Sequence, residues 1–228
     1  MITKNPSIYN SISIYNGGGG GGGNSPVYTE DIQVLLNGII ETEQPSSGTV
    51  SASIDNTFPI ENLKVYSSEN ITSSGVEFSG LIPSSNEFTL DFFFKGISHN
   101  HQITPFFIGF KESSAFLQTN CNDDITNFFW DLFQINYMTR YEMQKGIWHH
   151  VAIENRPVNS TKSERWFFID GELKSHYDNY QYVDFSSQTL QFGAGYPKTL
   201  YELGQICIRS KVVWTENFNP PDRAYSLY

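Results

Sequence analysis

The sequence predicts an all-β protein in which two antiparallel sheets pack as a sandwich. Short segments rich in aromatic and β-branched residues recur along its 228 residues, with turn signals between them. Every second residue from Phe88 to Phe94 is phenylalanine or leucine, which is typical of a strand that buries one face. Asp170-Gly171 separates two such segments, because glycine tolerates the positive φ of a tight hairpin turn. The length suits one large sandwich.

The same signals place the individual strands. Residues 27–41 have an ambiguous period and fit either a short helix or an edge strand. Residues 156–163 contain Pro157, Asn159 and Thr161, so we expect a polar loop there. The predicted strands cover residues 49–54, 63–66, 75–79, 87–95, 104–111, 115–119, 128–137, 147–154, 165–169, 172–176, 189–192 and 202–213.

Large rings occupy both faces of several predicted strands. Residues 106–107, 128–130 and 166–168 are consecutive aromatic residues, so neighbouring rings point to opposite sides of the sheet. Rings that point outward have to be covered. Long loops, the N-terminal segment and another subunit are the alternatives, and the last would make the protein part of a larger assembly.

Composition argues against several partners. The net charge of −10 disfavours nucleic acid and anionic membranes, because an acidic surface repels phosphate groups. No apolar run is long enough to insert across a membrane, and the N-terminus lacks the apolar core and cleavage site of a signal peptide. Cys121 and Cys207 are too few for a disulfide scaffold, and we expect both to be free thiols.

We expect residues 1–24 to form an extended N-terminal arm and residues 25–228 to form the sandwich domain. Ser-Ile-Tyr-Asn occurs at residues 7–10 and again at 13–16, followed by an unbroken glycine run. A disordered tail with a flexible linker, an anchoring arm that adds a strand to a partner's sheet, and glycine packing in a multi-chain bundle all fit this pattern. The residues of an anchoring arm would be Ile8, Tyr9, Ile14, Tyr15 and the glycines from Gly17 to Gly23.

Four motifs follow one another in a recognisable order. In chain order they are the segment from Phe88 to Phe94, Trp148-His149-His150-Val151-Ala152, the segment from Trp166 to Gly171, and the segment from Leu203 to Arg209. From about Tyr66 to Pro221 the chain therefore resembles the laminin-G-like, concanavalin A-like family. The resemblance implies a jelly-roll fold for the two-sheet sandwich. The acidic pair that this family carries in its closing strand is absent here.

The stretch from Val213 to Pro221 carries a second resemblance. It is similar to the "R-x-T-x-N-F-x-P-P" ending of jelly rolls in tailed-bacteriophage structural proteins. This likeness implies a virion protein, such as a head fibre, decoration protein or tail-fibre component. Other virion proteins and further copies of this chain would be its partners. The arm would anchor it, and the jelly roll would project for assembly or host-surface adhesion.

No enzymatic site emerges from the sequence. Glycosidases of this fold carry an E-x-D-x-x-E strand, whose carboxylates share one face at hydrolytic distance, and no such run occurs. Asp123 and Asp124 are adjacent, so in a strand they would point to opposite faces. We therefore expect no enzymatic activity.

Two kinds of metal site come into question. The spacing of His99 and His101 would place both imidazoles on one side of a strand, but these residues fall in a predicted loop. His149-His150 adds two imidazoles, whereas zinc needs three or four converging ligands. Calcium suits the sequence better, because hard oxygen ligands cluster in one polar loop and the family resemblance implies calcium binding at a loop edge. The candidate calcium ligands are Asn120, Asn122, Asp123 and Asp124.

Glycan binding is the alternative function. It requires rings that stack on sugar faces, together with planar polar groups. One predicted loop offers both, and its candidate contact residues are Tyr177, Asp178, Asn179, Tyr180 and Tyr182. A lectin-like module with or without calcium would use them, and a host-adsorbing fibre could also read surface glycans in this way.

Overall fold

The computed structural model describes residues 32–36, 52–61, 63–67, 76–98, 106–110, 115–121, 125–132, 140–192, 200–222 and 225. Fourteen strands form two sheets. The strands are β1 Ile32–Leu36, β2 Ala52–Ile54, β3 Lys64–Ser67, β4 Val76–Ser79, β5 Phe88–Ser98, β6 Phe106–Phe110, β7 Ala115–Cys121, β8 Ile125–Leu132, β9 Arg140–Gln144, β10 His149–Asn159, β11 Lys162–Ile169, β12 Glu172–Gln181, β13 Thr189–Phe192 and β14 Leu200–Arg209.

Every strand pair is antiparallel, and the order of the strands is that of a jelly-roll sandwich. The larger sheet has eight strands in the order β12-β11-β10-β5-β14-β3-β2, and β1 also pairs with β14. The smaller sheet has six strands in the order β4-β13-β6-β7-β8-β9. The prediction of an all-β, two-sheet jelly roll is confirmed. Among the described residues, no helix is long and apolar enough to cross a membrane.

The main core lies between the two sheets. The alternate residues of β5 from Phe88 to Phe94 face it, as their period predicted. The smaller sheet contributes Phe78, Phe110 and Leu190 from three of its strands. The rings of Phe88 and Phe110 lie 6.0 Å apart, centroid to centroid, in an edge-on arrangement.

The opposite, outer face of the eight-stranded sheet is also buried. Thr89, Asp91 and Phe93 on this side of β5 are almost inaccessible to solvent. Phe58, Ile60 and Leu63, which precede β3, pack on Phe93. Residues 210–222, which follow β14 and are here named the C-terminal strap, contact Thr89 through the Lys211 carbonyl oxygen, and Tyr225 contacts Asp91. Within the strap, Trp214 and Phe218 stack at 4.1 Å and pack on the outward rings of β11. Of the alternatives given for covering outward rings, a long loop is therefore the one that covers Trp166 and Phe168.

Gly171 is the point where the strap meets the β11–β12 turn. Its φ is +76°, and a Cβ atom placed on it would lie 1.9 Å from the carbonyl oxygen of Phe218. The Phe218 N–H donates to the Gly171 carbonyl oxygen at 2.9 Å, and the Leu173 N–H donates to Asn217 Oδ1 at 2.8 Å. Glycine is needed here both for the backbone conformation and for the close approach of the strap.

Glu154, a fully buried residue of β10, ties the strap to the sheet. Its carboxyl accepts the N–H groups of Val213, at 2.9 Å, and Trp214, at 3.0 Å. The Thr89 hydroxyl lies 2.5 Å from Glu154 Oε2 and 2.7 Å from the Lys211 carbonyl oxygen, although it has one proton to donate. A protonated Glu154 can donate to the Thr89 hydroxyl, which then donates its own proton to the Lys211 carbonyl oxygen. In agreement, burial raises the pKa of Glu154 to about 8.

Two segments predicted as loops are strands. The predicted loop at residues 156–163 shrinks to a turn, in which the Thr161 N–H donates to Asn159 Oδ1 at 2.9 Å. Pro157 is tolerated in β10 because β10 pairs with β5 only through Asn155, so the proline interrupts no ladder on that side. The longer β11 then pairs with β12 as far as Gln181. Most of the predicted tyrosine loop consequently belongs to β12.

Smaller differences concern strand ends. Residues 32–36 form a strand, which decides between the two alternatives for residues 27–41, and β9 at residues 140–144 was not predicted. The strand predicted for residues 202–213 ends at Arg209, and the strap begins there. Asn120 lies within β7, in place of the predicted polar loop, because β7 pairs with β8 through Cys121. The arm, residues 1–24, lies outside the described residues.

Replacing Gly171 tests the docking of the strap, and Gly146 provides a matched control. Gly146 has a φ of +77° but nothing within 4 Å of an added Cβ atom. Both Gly146→Ala and Gly171→Ala should lose about 1–2 kcal/mol to the left-handed backbone. Gly171→Ala should lose about 1–3 kcal/mol more, because the strap must shift. Urea unfolding measures the difference, and equal losses would contradict the docking.

The proton on Glu154 predicts a pH dependence of stability. A folded-state pKa of about 8, above the ordinary 4.5, means that the folded protein binds a proton which the unfolded chain releases. This contribution is complete below pH 4.5 and is lost as the pH rises towards 8. The free energy of unfolding of the wild type should therefore fall relative to Glu154→Gln across that window. A difference that is constant with pH would show that Glu154 is ionised.

Candidate functional site

Asp91, a carboxylate that an enzyme could use, is occupied by structural contacts. Its Oδ1 accepts the Tyr225 hydroxyl at 2.7 Å and lies 3.3 Å from His150 Nε2, while Arg209 Nη2 lies 3.7 Å from its other oxygen. All four side chains are buried. Burial and the Asp91 charge raise the pKa of the Tyr225 phenol, which keeps its proton and remains a donor. Burial likewise raises the pKa of the Cys207 thiol, a free cysteine as predicted.

A second group of charges surrounds Lys95 at the end of β5. Its ammonium forms ion pairs with Asp55 and Glu202 and lies 4.9 Å from the centre of the Trp148 ring. Burial disfavours the charged form of Asp55, but the hydrogen bonds from Lys95 and Thr57 and the charge of Lys95 together outweigh it and lower the pKa. For Glu202 burial dominates and raises the pKa. The Trp148 indole N–H also donates to Asp55, at 3.1 Å, so this group fixes the segment before β3 to the sheet.

An accessible group of polar side chains lies on the outer face of β10–β12, beyond the part that the strap covers. We name it the edge cluster, and its members are Arg156, Glu164, His176 and Asp178. His176 Nε2 lies 3.0 Å from Asp178 Oδ1 and 3.7 Å from Glu164 Oε1. The side chains of His176 and Asp178 are 36% and 69% exposed, so a ligand can reach them.

Strand geometry brings the edge cluster together. His176 and Asp178 are two residues apart on β12 and therefore point to the same face. Glu164 lies on β11, where the pairing with β12 shifts between Ser163 and Arg165, so two residues of β12 face one of β11. Such a bulge redirects side chains locally. It places Glu164 against both members of the cluster on β12.

Two contacts fix the orientation of these side chains. The guanidinium of Arg156 donates from Nε, at 2.9 Å, and from Nη2, at 2.5 Å, to Glu164 Oε2. The other carboxylate oxygen, Oε1, is then turned towards His176. The imidazole of His176 lies parallel to the indole of Trp166, 4.8 Å away at an interplanar angle of 8°, and Trp166 is itself buried. The cluster is thus held in place before any ligand arrives.

The structure separates the five residues predicted to contact glycan. Asp178 belongs to the edge cluster, whereas Tyr180 points to the other side of the sheet and packs on the main core. There the Arg165 guanidinium lies 4.4 Å from the centre of the Tyr180 ring, and burial lowers the pKa of Arg165 to about 10. Tyr177 is 5.8 Å from Tyr180, ring to ring, on the same side.

The two remaining candidates make local contacts. Asn179 Oδ1 accepts Lys162 Nζ at 3.1 Å, and the Tyr182 N–H donates to the Thr161 carbonyl oxygen at 3.0 Å. The five residues therefore form no single surface. The prediction assumed a loop that could gather their side chains, but alternation along β12 sends neighbouring residues to opposite faces.

Other predicted sites lie wholly or partly outside the described residues. These are the arm, with Ile8, Tyr9, Ile14, Tyr15 and the run from Gly17 to Gly23, the histidines His99 and His101, and the calcium candidates Asn122, Asp123 and Asp124. Calcium binding stays a prediction. His149 and His150 belong to β10, where His149 Nδ1 is 2.6 Å from Asp170 Oδ2.

Sequence reasoning missed Arg156, Glu164 and His176. The sequence offered one signal. His176 and Asp178 are two residues apart, as are Glu164 and Trp166, so the residues of each pair share one face of a strand. The register that places Glu164 next to His176 and Asp178 depends on the bulge between β11 and β12. No pattern in the sequence predicts the position of that bulge.

Comparison with known proteins identifies the fold but no family. No protein-family model and no curated protein matches the sequence. The chain is similar to the solved receptor-binding domain of botulinum neurotoxin type G, with a TM-score of 0.51, 11% identity, and coverage of 81% of this chain and 49% of that one. The serotype D binding domain gives a TM-score of 0.50, 13% identity, and coverage of 83% and 50%.

A third solved structure is similar over its whole length. A carbohydrate esterase from the Shiga toxin-encoding bacteriophage phi24B gives a TM-score of 0.50 and 10% identity, with coverage of 79% of this chain and 99% of that one. The chain spans about half the length of the two neurotoxin domains. At these identities, the similarity establishes that this chain has the jelly-roll fold seen in these proteins.

Proposed function

We propose that this chain is a non-catalytic binding module that contacts glycans through the edge cluster. The observation that carries the proposal is the arrangement of Arg156, Glu164, His176 and Asp178 as an accessible group of planar polar side chains on neighbouring strands. Of the five glycan candidates predicted from the sequence, Asp178 belongs to this group.

The chemistry of the edge cluster suits sugar hydroxyls. A hydroxyl both donates and accepts, so carboxylates serve as its acceptors and guanidinium as its donor, while imidazole offers either role. Hydrogen bonds to charged groups are the stronger ones, which offsets the loss of water from a sugar. Because the side chains stand on paired strands, little ordering is required on binding. The imidazole of His176, supported by Trp166, adds a flat surface for a sugar face.

Two of the named neighbours support a binding role, and the third supports carbohydrate as the ligand class. Two are described as receptor-binding or binding domains of botulinum neurotoxins, and the third as a carbohydrate esterase of a bacteriophage. The non-catalytic part of the proposal is supported by the buried carboxyls of the described residues. Glu154 holds the strap, and Asp91 is engaged by Arg209 and Tyr225, so both serve the fold.

A virion role is the second candidate, and it is compatible with glycan binding. It is supported by the Ile/Tyr repeat and glycine run of residues 1–24, and by the likeness of residues 213–221 to tailed-phage proteins. In this proposal the arm anchors the protein to a particle and the jelly roll carries the edge cluster outward. Other virion proteins would then be its partners, and the particle its location.

Removing side chains from the edge cluster tests glycan binding. Wild-type protein is screened on a panel of immobilised glycans, and the affinity for the best one is measured by calorimetry. Arg156→Ala and Asp178→Ala should each weaken binding roughly tenfold or more, as expected for lost hydrogen bonds to charged groups. Glu172→Gln is the matched control, because this carboxylate lies on the same strand and pairs with Lys174 outside the cluster. Unchanged affinity in both alanine variants would contradict the proposal.

Proteomics of purified particles tests the virion role. Wild-type chain and a variant lacking residues 1–24 are compared in particles from the source. We expect the intact chain on particles and the truncated chain absent from them, because the arm is the proposed anchor. If neither form is found on particles, the virion role is wrong.

A further inference from the structure

We infer that Glu164, His176 and Asp178 bind a divalent transition-metal cation such as Zn²⁺ at the centre of the edge cluster. Cation binding itself is independent of the proposed function, whereas a role of the cation in glycan recognition rests on it. The candidate ligands differ from the calcium candidates predicted from the sequence, which cluster at residues 120–124.

The first argument is distance. One ligand atom from each of the three residues lies within 4.8 Å of both others. Atoms bonded to one zinc ion at about 2.1 Å lie about 3.0–3.5 Å from each other. The separation between His176 Nε2 and Asp178 Oδ1 is already 3.0 Å, and that between His176 Nε2 and Glu164 Oε1 is 3.7 Å. The third separation, between Glu164 and Asp178, lies within the 4.8 Å limit, so Glu164 has to approach both other ligands to complete the geometry.

The second argument is orientation. Residues that hold metal ligands in position are an integral part of metal sites, since they fix which atom faces the ion. Arg156 binds Oε2 of Glu164 and leaves Oε1 on the side of His176. Trp166 holds the imidazole plane of His176 by parallel stacking. The ligand atoms that must converge are therefore the ones that point inward.

The third argument is charge. Glu164 and Asp178 carry two negative charges when ionised, and Arg156 offsets one of them. The cluster thus has one more carboxylate than guanidinium, on a chain whose net charge is −10. A divalent cation between the three side chains removes the repulsion between the two carboxylates.

The ligand set selects the class of cation. Imidazole nitrogen suits zinc and related transition metals, whereas calcium takes six to eight oxygen ligands. Three protein ligands also leave a coordination position open to solvent. A sugar hydroxyl could occupy that position, which would make glycan binding through the edge cluster depend on the cation.

The test is a metal titration without glycan. Tag-free protein is stripped with EDTA and titrated with Co²⁺, followed by its visible absorption, and with Zn²⁺ and Ca²⁺, followed by calorimetry. We expect one Zn²⁺ or Co²⁺ per chain at the edge cluster, and no Ca²⁺ bound by its three ligands. Asp178→Asn and His176→Gln should weaken Zn²⁺ binding at least tenfold, and Arg156→Gln, a positioning variant, about tenfold. Thermal unfolding verifies that each variant folds.

Two controls make the outcome specific. Glu172→Gln removes a carboxylate of the same strand, and the double variant His99→Gln/His101→Gln removes a histidine pair outside the edge cluster. Both should bind Zn²⁺ like the wild type. The inference is overturned if the wild type binds neither Zn²⁺ nor Co²⁺, if both ligand variants retain binding, or if the histidine double variant loses it.

The glycan panel separates this inference from the proposed function. Wild-type protein is applied in EDTA and again with Zn²⁺. Glycan binding that needs Zn²⁺ supports a direct role of the cation, and binding that is equal in EDTA overturns that role. A wild type that binds Zn²⁺ but no panel glycan contradicts the proposed function and leaves the cation site supported.

Discussion

The packing of the C-terminal strap on the outer face of the eight-stranded sheet is the interaction on which the rest of the structure depends. A sheet that carries large rings on both faces needs an apolar layer on each side. The smaller sheet supplies one layer, and the stacked rings of Trp214 and Phe218, together with the segment before β3, supply the other. Burial of each such side chain is worth roughly 1.5–3 kcal/mol, which is a large fraction of the stability of a domain.

Polar contacts decide where the strap lies. Backbone N–H groups at residues 213 and 214 have left the β-ladder and need acceptors, because they are removed from water. Glu154 provides both acceptors from within the sheet, and the turn at Gly171 provides a third contact further along. Among the described residues no basic group pairs with Glu154, and its burial is explained by the backbone N–H groups of the strap that it accepts.

Much of the fold could be predicted because it rests on local patterns. The alternation in β5 and the turn at Gly171 are readable from neighbouring residues, and both reappear in the structure. The length of a turn is harder to predict from the sequence. Asn159 and Thr161 mark a reversal of the chain, but only the pairing of β10 with β11 shows that it takes a tight turn. The extension of β12 follows from that pairing and was equally hidden.

The edge cluster depended on information that the sequence does not display. Its members come from three strands, and the bulge between β11 and β12 sets which of them meet. Five neighbouring residues in a ring-rich segment looked like one surface, yet the pleat of β12 divides them between the core side and the outer side. The position of the strap is also non-local. It covers Phe168 and ends short of His176, so the same outer face is sealed at one end and accessible at the other.

The central position of β14 has a consequence for how the chain acquires this structure. Residues 200–209 pair with β5 on one side and with β1 and β3 on the other. During synthesis from the N-terminus, β5 and β3 therefore emerge long before the strand that joins them, and each has an open edge during that time. Closing the sheet requires contacts between residues more than one hundred positions apart, which is a slow step in folding. Until β14 is made, the open edges of β5 and β3 can pair with other molecules, and the half-sheet that contains β5 is rich in aromatic residues.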